Sequence, residues 1–307
     1  MSKERLNKYD TLKGILILLV LLGHIIGAQG GGLFSRFAVF LTYAFHMPLF
    51  MTITGRFAKF KPLDAAFYTI LFFVFDAWFV VATALYYCMI PLFARIKSKK
   101  WQLLLIGGLI VLGCISGYFP LGENNPVIAR LITFLPYFLL GYYRVFEWKP
   151  LKHKVLIGIF LFVFSTIFLP PICKYVLVPL FMCDQYGRHF LWQRLMSYGL
   201  GMLWTWWLLT VTTNKEVPVF TKLGKYTLWI YLLHEPMIML VVSLLNMWHN
   251  AIGKTLFSTQ LGVSIVWCLL LWPVAILLQK GTQWLMTKWR PLNERLQKAC
   301  LPKTKDE

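Results

Sequence analysis

Acidic residues are scarce in this chain. Twelve Asp and Glu stand against 31 Lys and Arg in 307 residues, and charged residues of both signs make up only 14%. So little charge cannot cover the surface of a soluble domain of this length. Hydrophobic residues reach 58% and the mean hydropathy is +0.64, which excludes a water-soluble fold and places the chain among polytopic membrane proteins. The formal net charge of +19 comes in short basic clusters between apolar runs, the pattern of cytoplasmic loops. No basic face belongs to a soluble domain, so no nucleic-acid partner is expected.

Cysteine is sparse too. The 6 cysteines form no CxxC pair and no metal-ligand spacing, and Cys88, Cys114 and Cys268 fall in apolar runs where the thiol acts as a small hydrophobe. A Cys173–Cys183 disulfide within one loop region is the one pairing the spacing leaves open. HExxH and any pair of His four apart are missing, so no metal is expected. Without G-x-S-x-G, a Walker loop or a dinucleotide fingerprint, serine-hydrolase and phosphate-cradle chemistry have no footing. The first apolar run follows a polar stretch, lacks a small-x-small cleavage site and holds Lys13 inside it, so it is expected to be retained rather than cleaved as a signal peptide.

What is present is a series of long apolar runs. They predict an all-α helical membrane bundle with nine apparent spans, at 13–29, 33–55, 64–93, 102–119, 127–143, 155–172, 192–213, 226–247 and 257–279, measured against the ~20 residues a crossing needs. The whole of 1–307 reads as a single integral-membrane domain, with 280–307 as a cytoplasmic amphipathic tail in which Trp284, Leu285 and Trp289 alternate with Lys288, Arg290 and Arg295. Basic clusters at Lys3, Arg5 and Lys8 and in the tail put both termini in the cytoplasm. Nine crossings cannot do that. The conflict falls on 62–94, too short for two full crossings and a turn; a shortened pair of helices turning near Asp76 reconciles the charges best.

Ionisable groups inside spans are costly, so each is a candidate site residue. Lys13 and His24 lie eleven residues apart. At 100° and 1.5 Å per residue they share one helical stripe about 16 Å apart. In Phe45-His46-Met47-Pro48, the proline kinks or breaks the second span beside His46. Leu232-Leu233-His234-Glu235-Pro236 places a third imidazole next to a carboxylate and before another proline. Asp76, in Phe75-Asp76-Ala77-Trp78, sits where a turn or a polar cavity belongs. His153, His189 and His249 read as solvated loop residues.

Four stretches resemble one family. Tyr9-Asp10-Thr11-Leu12-Lys13-Gly14 through Gly23-His24 is similar to the first helix of the acyltransferase-3 family of integral-membrane O-acyltransferases, marked by Arg or Lys, ten residues, then His. Phe45-His46-Met47-Pro48-Leu49-Phe50-Met51 with Thr54-Gly55 resembles its second motif. Leu135-Pro136-Tyr137 through Tyr143, and Leu223-Gly224-Lys225-Tyr226 through His234, resemble helices of its fucose 4-O-acetylase-like branch. The family usually has ten spans, its Arg-x-x-Arg motif is missing here, with Arg56-Phe57-Ala58-Lys59 a loose substitute, and the 62–94 region is shortened, with Ala77-Trp78-Phe79 still recognisable.

The resemblance implies transfer of an acetyl or other acyl group from cytoplasmic acetyl-CoA (acyl-CoA), a donor substrate rather than a bound cofactor, to a carbohydrate hydroxyl, in a multi-pass protein of the bacterial cytoplasmic (inner) membrane. It assigns His24 as catalytic, Lys13, Arg56 and Lys59 to the donor, and His46, Asp76, Trp78, His234 and Glu235 to the acceptor or its support. Membrane lipid is the surrounding partner. Two rivals remain open from the residues alone. One is a proton-coupled transporter using the same ionisable groups, which the lack of an internal repeat disfavours. The other is a catalytically degenerate member with a scaffold role.

Overall fold

The computed structural model describes residues 7–29, 44–119, 126–145, 153–165, 191–252 and 257–301. Every regular element among them is helical: α1 (Asn7–Gln29), α2 (His46–Arg56), α3 (Pro62–Phe75), α4 (Trp78–Phe93), α5 (Lys99–Ile115, extended by a 3₁₀ turn, Ser116–Tyr118), α6 (Pro126–Tyr142), α7 (Lys154–Val163), α8 (Leu191–Val211), α9 (Pro218–Gly224), α10 (Thr227–Ile252) and α11 (Phe257–Cys300). Two compact units result, Met1–His46 with Thr212–Trp284, and Met47–Val211 with Leu285–Glu307.

In the first unit α1 packs against α9 and α10. The approach of α1 to α9 is close enough that only glycine fits at two points. A Cβ on Gly14 would run into the Phe220 carbonyl, and one on Gly224 into the Asp10 carbonyl. Polar groups at this seam satisfy each other. Thr11 and Thr221 hydroxyls are 2.7 Å apart, the Thr221 hydroxyl accepts the Val217 N–H at 3.0 Å, and Asn214 Oδ1 accepts the Lys8 N–H at 3.3 Å. That last bond serves an N–H in the first turn of α1, which has no partner within the helix. Trp229 of α10 donates to the Thr282 hydroxyl of α11 at 2.8 Å.

The second unit is built on buried aromatics and on polar groups that close helix ends. Tyr86, Tyr143 and Tyr198 donate to the carbonyls of Leu131, Phe93 and Thr133 at 2.6, 3.0 and 2.9 Å. The buried Arg194 of α8 donates to the Gly113 carbonyl at 2.9 Å and to the Ser116 hydroxyl at 3.1 Å. A cation there meets the unsatisfied carbonyls and negative dipole end of α5. Residue 64 is a second hub: the buried Asp64 carboxylate accepts from Lys61 Nζ at 3.0 Å and from Trp289 and Asn293 of α11 at 2.9 Å each. Asn293 in turn accepts the Leu63 N–H at 3.1 Å.

Of three sequence expectations, that for the tail changes, and those for 62–94 and Pro48 resolve to one of the alternatives held open. The apolar stretch 64–93, counted as one span, is a hairpin of two packed helices, α3 and α4. It breaks at Asp76, whose N–H still donates to the Phe72 carbonyl at 2.7 Å and whose left-handed backbone (φ 50°) ends the helix there; Asp tolerates that conformation better than the β-branched and aromatic residues around it. The tail 280–307 is no separate helix as far as Cys300, because α11 runs unbroken through Gln279. Its side chains at 289 and 293 are held by Asp64 instead of lying on a surface. At Pro48 the expected alternative of a break holds rather than a kink: residues 44–45 form a turn and α2 begins at His46, which puts the proline in the first turn, where its missing N–H costs nothing. Cys173, Cys183 and residues 33–43 lie outside the described residues.

Large apolar side chains cover the outer faces, with Phe73 80%, Leu277 71% and Val155 66% exposed. So much open apolar surface is untenable in water and suits lipid. By length and composition Lys99–Tyr118 can cross a membrane alone, while Pro62–Phe75, Trp78–Phe93, Val127–Tyr142 and Lys154–Val163 are shorter apolar helices.

The Asp64 hub gives a stability test. Asp64→Ala removes the acceptor of three donors and should lower stability by about 3 kcal/mol, whereas Asp64→Asn, which keeps one carbonyl oxygen, should cost less. Thermal unfolding in detergent, with protease cleavage near Trp289 as a second readout, checks the order; equal stability for both variants and the parent chain would contradict it.

Candidate active site

The stripe predicted from Lys13 to His24 exists: α1 is continuous across it, with Ile17 and Val20 buried between them. Lys13 is not a free cation. Its ammonium lies 2.9 Å from the Asp10 carboxylate, with the Lys side chain 28% and the Asp side chain 6% exposed. Asp10 is therefore the partner of Lys13, which reading for spans passed over; its i,i+3 spacing from Lys13 was the available signal.

At the other end of the stripe, His24 meets His234 of α10. Their ring centroids are 4.8 Å apart and the planes stand at 83°. His234 is buried, its Nδ1 contacts the Tyr231 carbonyl one turn back, and its ring lies 5.4 Å from that of Tyr231. A carbonyl only accepts, so Nδ1 carries the proton and Nε2 of the neutral ring presents a lone pair. Nε2 is buried and has no hydrogen-bond partner among the described residues. A buried unsatisfied nitrogen costs roughly 1–3 kcal/mol, and such groups persist where they serve a reaction or bind something.

Glu235 does not join this pair. Neighbours in a helix point about 100° apart, and here His234 is buried while Glu235 is exposed. Pro236 does not break the segment either, since α10 continues through it. His249 lies in α10 rather than in a loop. His46 opens α2 and is buried, and His153 is exposed just before α7.

The remaining candidates belong to the second unit. Arg56 ends α2 half-exposed and Lys59 follows it exposed. Asp76 is exposed at the hairpin turn. Trp78 opens α4 beneath Arg130 of α6, whose guanidinium carbon is 5.2 Å from the ring centroid, and packs against Phe134 at 5.0 Å. Arg130 was invisible to the sequence reading because its partner is 52 residues away (130 − 78). Among the described residues no group of three His, Cys, Asp or Glu converges as a metal site.

The described elements are all helical and carry an exposed apolar surface, and the His24 and His234 rings meet between two of them. The family model described as an acyltransferase domain matches residues 63–278, and the chain accordingly belongs to the acyltransferase-3 family and is a membrane acyltransferase. The matched region contains Asp76, Trp78, His234 and Glu235 and begins after Lys13, His24 and His46. Searches of curated proteins and of solved structures return no match.

The Asp10–Lys13 pair makes a test of Lys13 depend on its partner. Lys13→Met deprives a buried carboxylate of its cation and should cost about 2 kcal/mol. Adding Asp10→Asn should recover most of that. Thermal unfolding of the single and double variants measures it, and a double variant no more stable than Lys13→Met would show that the pair carries no such coupling.

Proposed function

We propose that the chain moves an acetyl group from cytoplasmic acetyl-CoA to a hydroxyl of a cell-surface or lipid-linked carbohydrate, in the cytoplasmic membrane of a bacterium. The observation that carries this reading is the contact of His24 with His234 deep along a helix whose other end bears Lys13. His24 acts as general base. It takes the proton of the acceptor hydroxyl as that oxygen attacks the thioester carbonyl, the new C–O bond forms, the C–S bond breaks, and the proton passes to the departing sulfur to give the free thiol.

The donor end follows from charge. Lys13, oriented by Asp10, stands about 16 Å along α1 from His24, a depth that a pantetheine arm can bridge from a nucleotide held at the cytoplasmic mouth. Arg56 and Lys59 are further cations for the CoA phosphates. His46, Asp76 and Trp78 serve the acceptor, Trp78 by stacking a sugar ring. Glu235 is exposed, so in this reading it acts at the surface and not on the imidazoles.

Counting α3 and α4 as two crossings turns nine apparent spans into the family's usual ten and returns both termini to the cytoplasm. With 14 residues α3 is about 21 Å long against a ~30 Å hydrocarbon core, so the membrane is thinned or the Asp76 turn opens into water at that point. A carboxylate at the turn fits either.

His24→Ala should reduce acetyl transfer from labelled acetyl-CoA to para-nitrophenyl hexosides by at least about 100-fold, with membrane insertion and thermal stability preserved. Transfer at the parental rate would refute the assignment.

A further inference from the structure

We propose that His234 is the positioning partner of the catalytic imidazole: its Nε2 lone pair receives the N–H of His24 and so orients and stabilises the imidazolium formed when the opposite nitrogen of His24 takes the acceptor's proton. This deepens the reading of His24 as general base and rests on it. His234 touches no substrate in this scheme and acts through His24.

Three observations converge. The fold fixes one nitrogen of His234 as a donor, because Nδ1 faces the Tyr231 carbonyl. It leaves the other nitrogen as a buried acceptor with no partner among the described residues. It then sets the His24 ring against it, with 4.8 Å between centroids and the planes at 83°. The carboxylate next in sequence, which would ordinarily fill this role, is Glu235, and it is exposed. An imidazole takes its place.

The chemistry accounts for the choice. A base that accepts a proton among apolar helices becomes a cation in a poor solvent for ions. A carboxylate would stabilise that cation, yet it would also be a buried charge in the resting state. A neutral imidazole is uncharged at rest and still offers a lone pair when the cation forms. The pair holds one proton at a time, since two imidazoliums this close repel. The step balances: the hydroxyl proton moves to His24, the opposite N–H of His24 is held by His234 Nε2, and the same proton leaves with the CoA sulfur when the C–S bond breaks.

The substitutions separate this role from packing. His234→Asn keeps a donor where Nδ1 faces Tyr231 and lacks an acceptor at the Nε2 position, while His234→Gln places an amide oxygen there. With the full chain in lipid nanodiscs, labelled acetyl-CoA as donor and para-nitrophenyl hexosides as acceptors, His234→Asn should lower kcat about 100-fold with both KM values within about twofold. His234→Gln should recover to within about tenfold of the parent chain. His24→Ala combined with either substitution should be no slower than His24→Ala alone, because residues acting as one unit do not lose activity additively. Parental kcat in His234→Asn, or losses that multiply in the double variants, overturns the proposal while leaving His24 as base intact. Absence of transfer by the parent chain overturns both. If His234→Asn does not insert, His234→Gln decides: activity near the parent that is lost with His24→Ala supports the pair, and inactivity with normal insertion overturns it.

Discussion

A chain this apolar can keep a polar side chain inside only where another part of the same chain satisfies it, and that requirement organises the described structure. Lys13 lies against Asp10, Arg194 against the carbonyl end of α5, and Asp64 under Trp289, Asn293 and Lys61. The first is local to α1, and the other two close a helix end or join segments that the sequence keeps apart. Lipid supplies no competing hydrogen bonds, so such contacts decide which helices pack together. Among the described residues three buried side-chain atoms depart from that rule, Thr205 Oγ1, Gln279 Oε1 and His234 Nε2, and the last lies beside another imidazole.

Close backbone approach is the second device. Gly14 and Gly224 let α1 and α9 meet carbonyl to Cα, and Gly55 and Gly141 do the same for α2 and α6, where added Cβ atoms would strike the Phe138 and Thr52 carbonyls. Small residues at helix contacts are how membrane bundles gain van der Waals packing without a hydrophobic driving force. The effect on function is geometric: with α1 seated on α9, Lys13 and the stripe leading to His24 are fixed by backbone contact rather than by flexible side chains.

The helical class, the apolar runs and the Lys13–His24 stripe were legible in the sequence because period and hydropathy are local properties. The hairpin was legible through charge: the basic clusters on either side of 62–94 demanded two helices where length alone counted one, and Asp76 marked the turn. His24 with His234 could be named separately, but their contact could not be read, since 210 residues separate them (234 − 24). Arg130 over Trp78, and Asn293 and Trp289 on Asp64, were hidden for the same reason. Glu235 misled because adjacency in sequence means divergence on a helix. The contacts of Trp289 and Asn293 in the tail could not be read because an amphipathic pattern looks alike whether its apolar face meets lipid or another helix.

The central claim is that this chain transfers an acyl group from a thioester to a sugar. The direct measurement uses the purified full chain in nanodiscs with labelled acetyl-CoA and detergent-extracted surface glycan, following label in carbohydrate and free CoA thiol together. The account predicts one thiol released for each acetyl group gained by the glycan. Thiol release without labelled glycan, or proton-coupled uptake of a solute into vesicles with no label transferred, would contradict it.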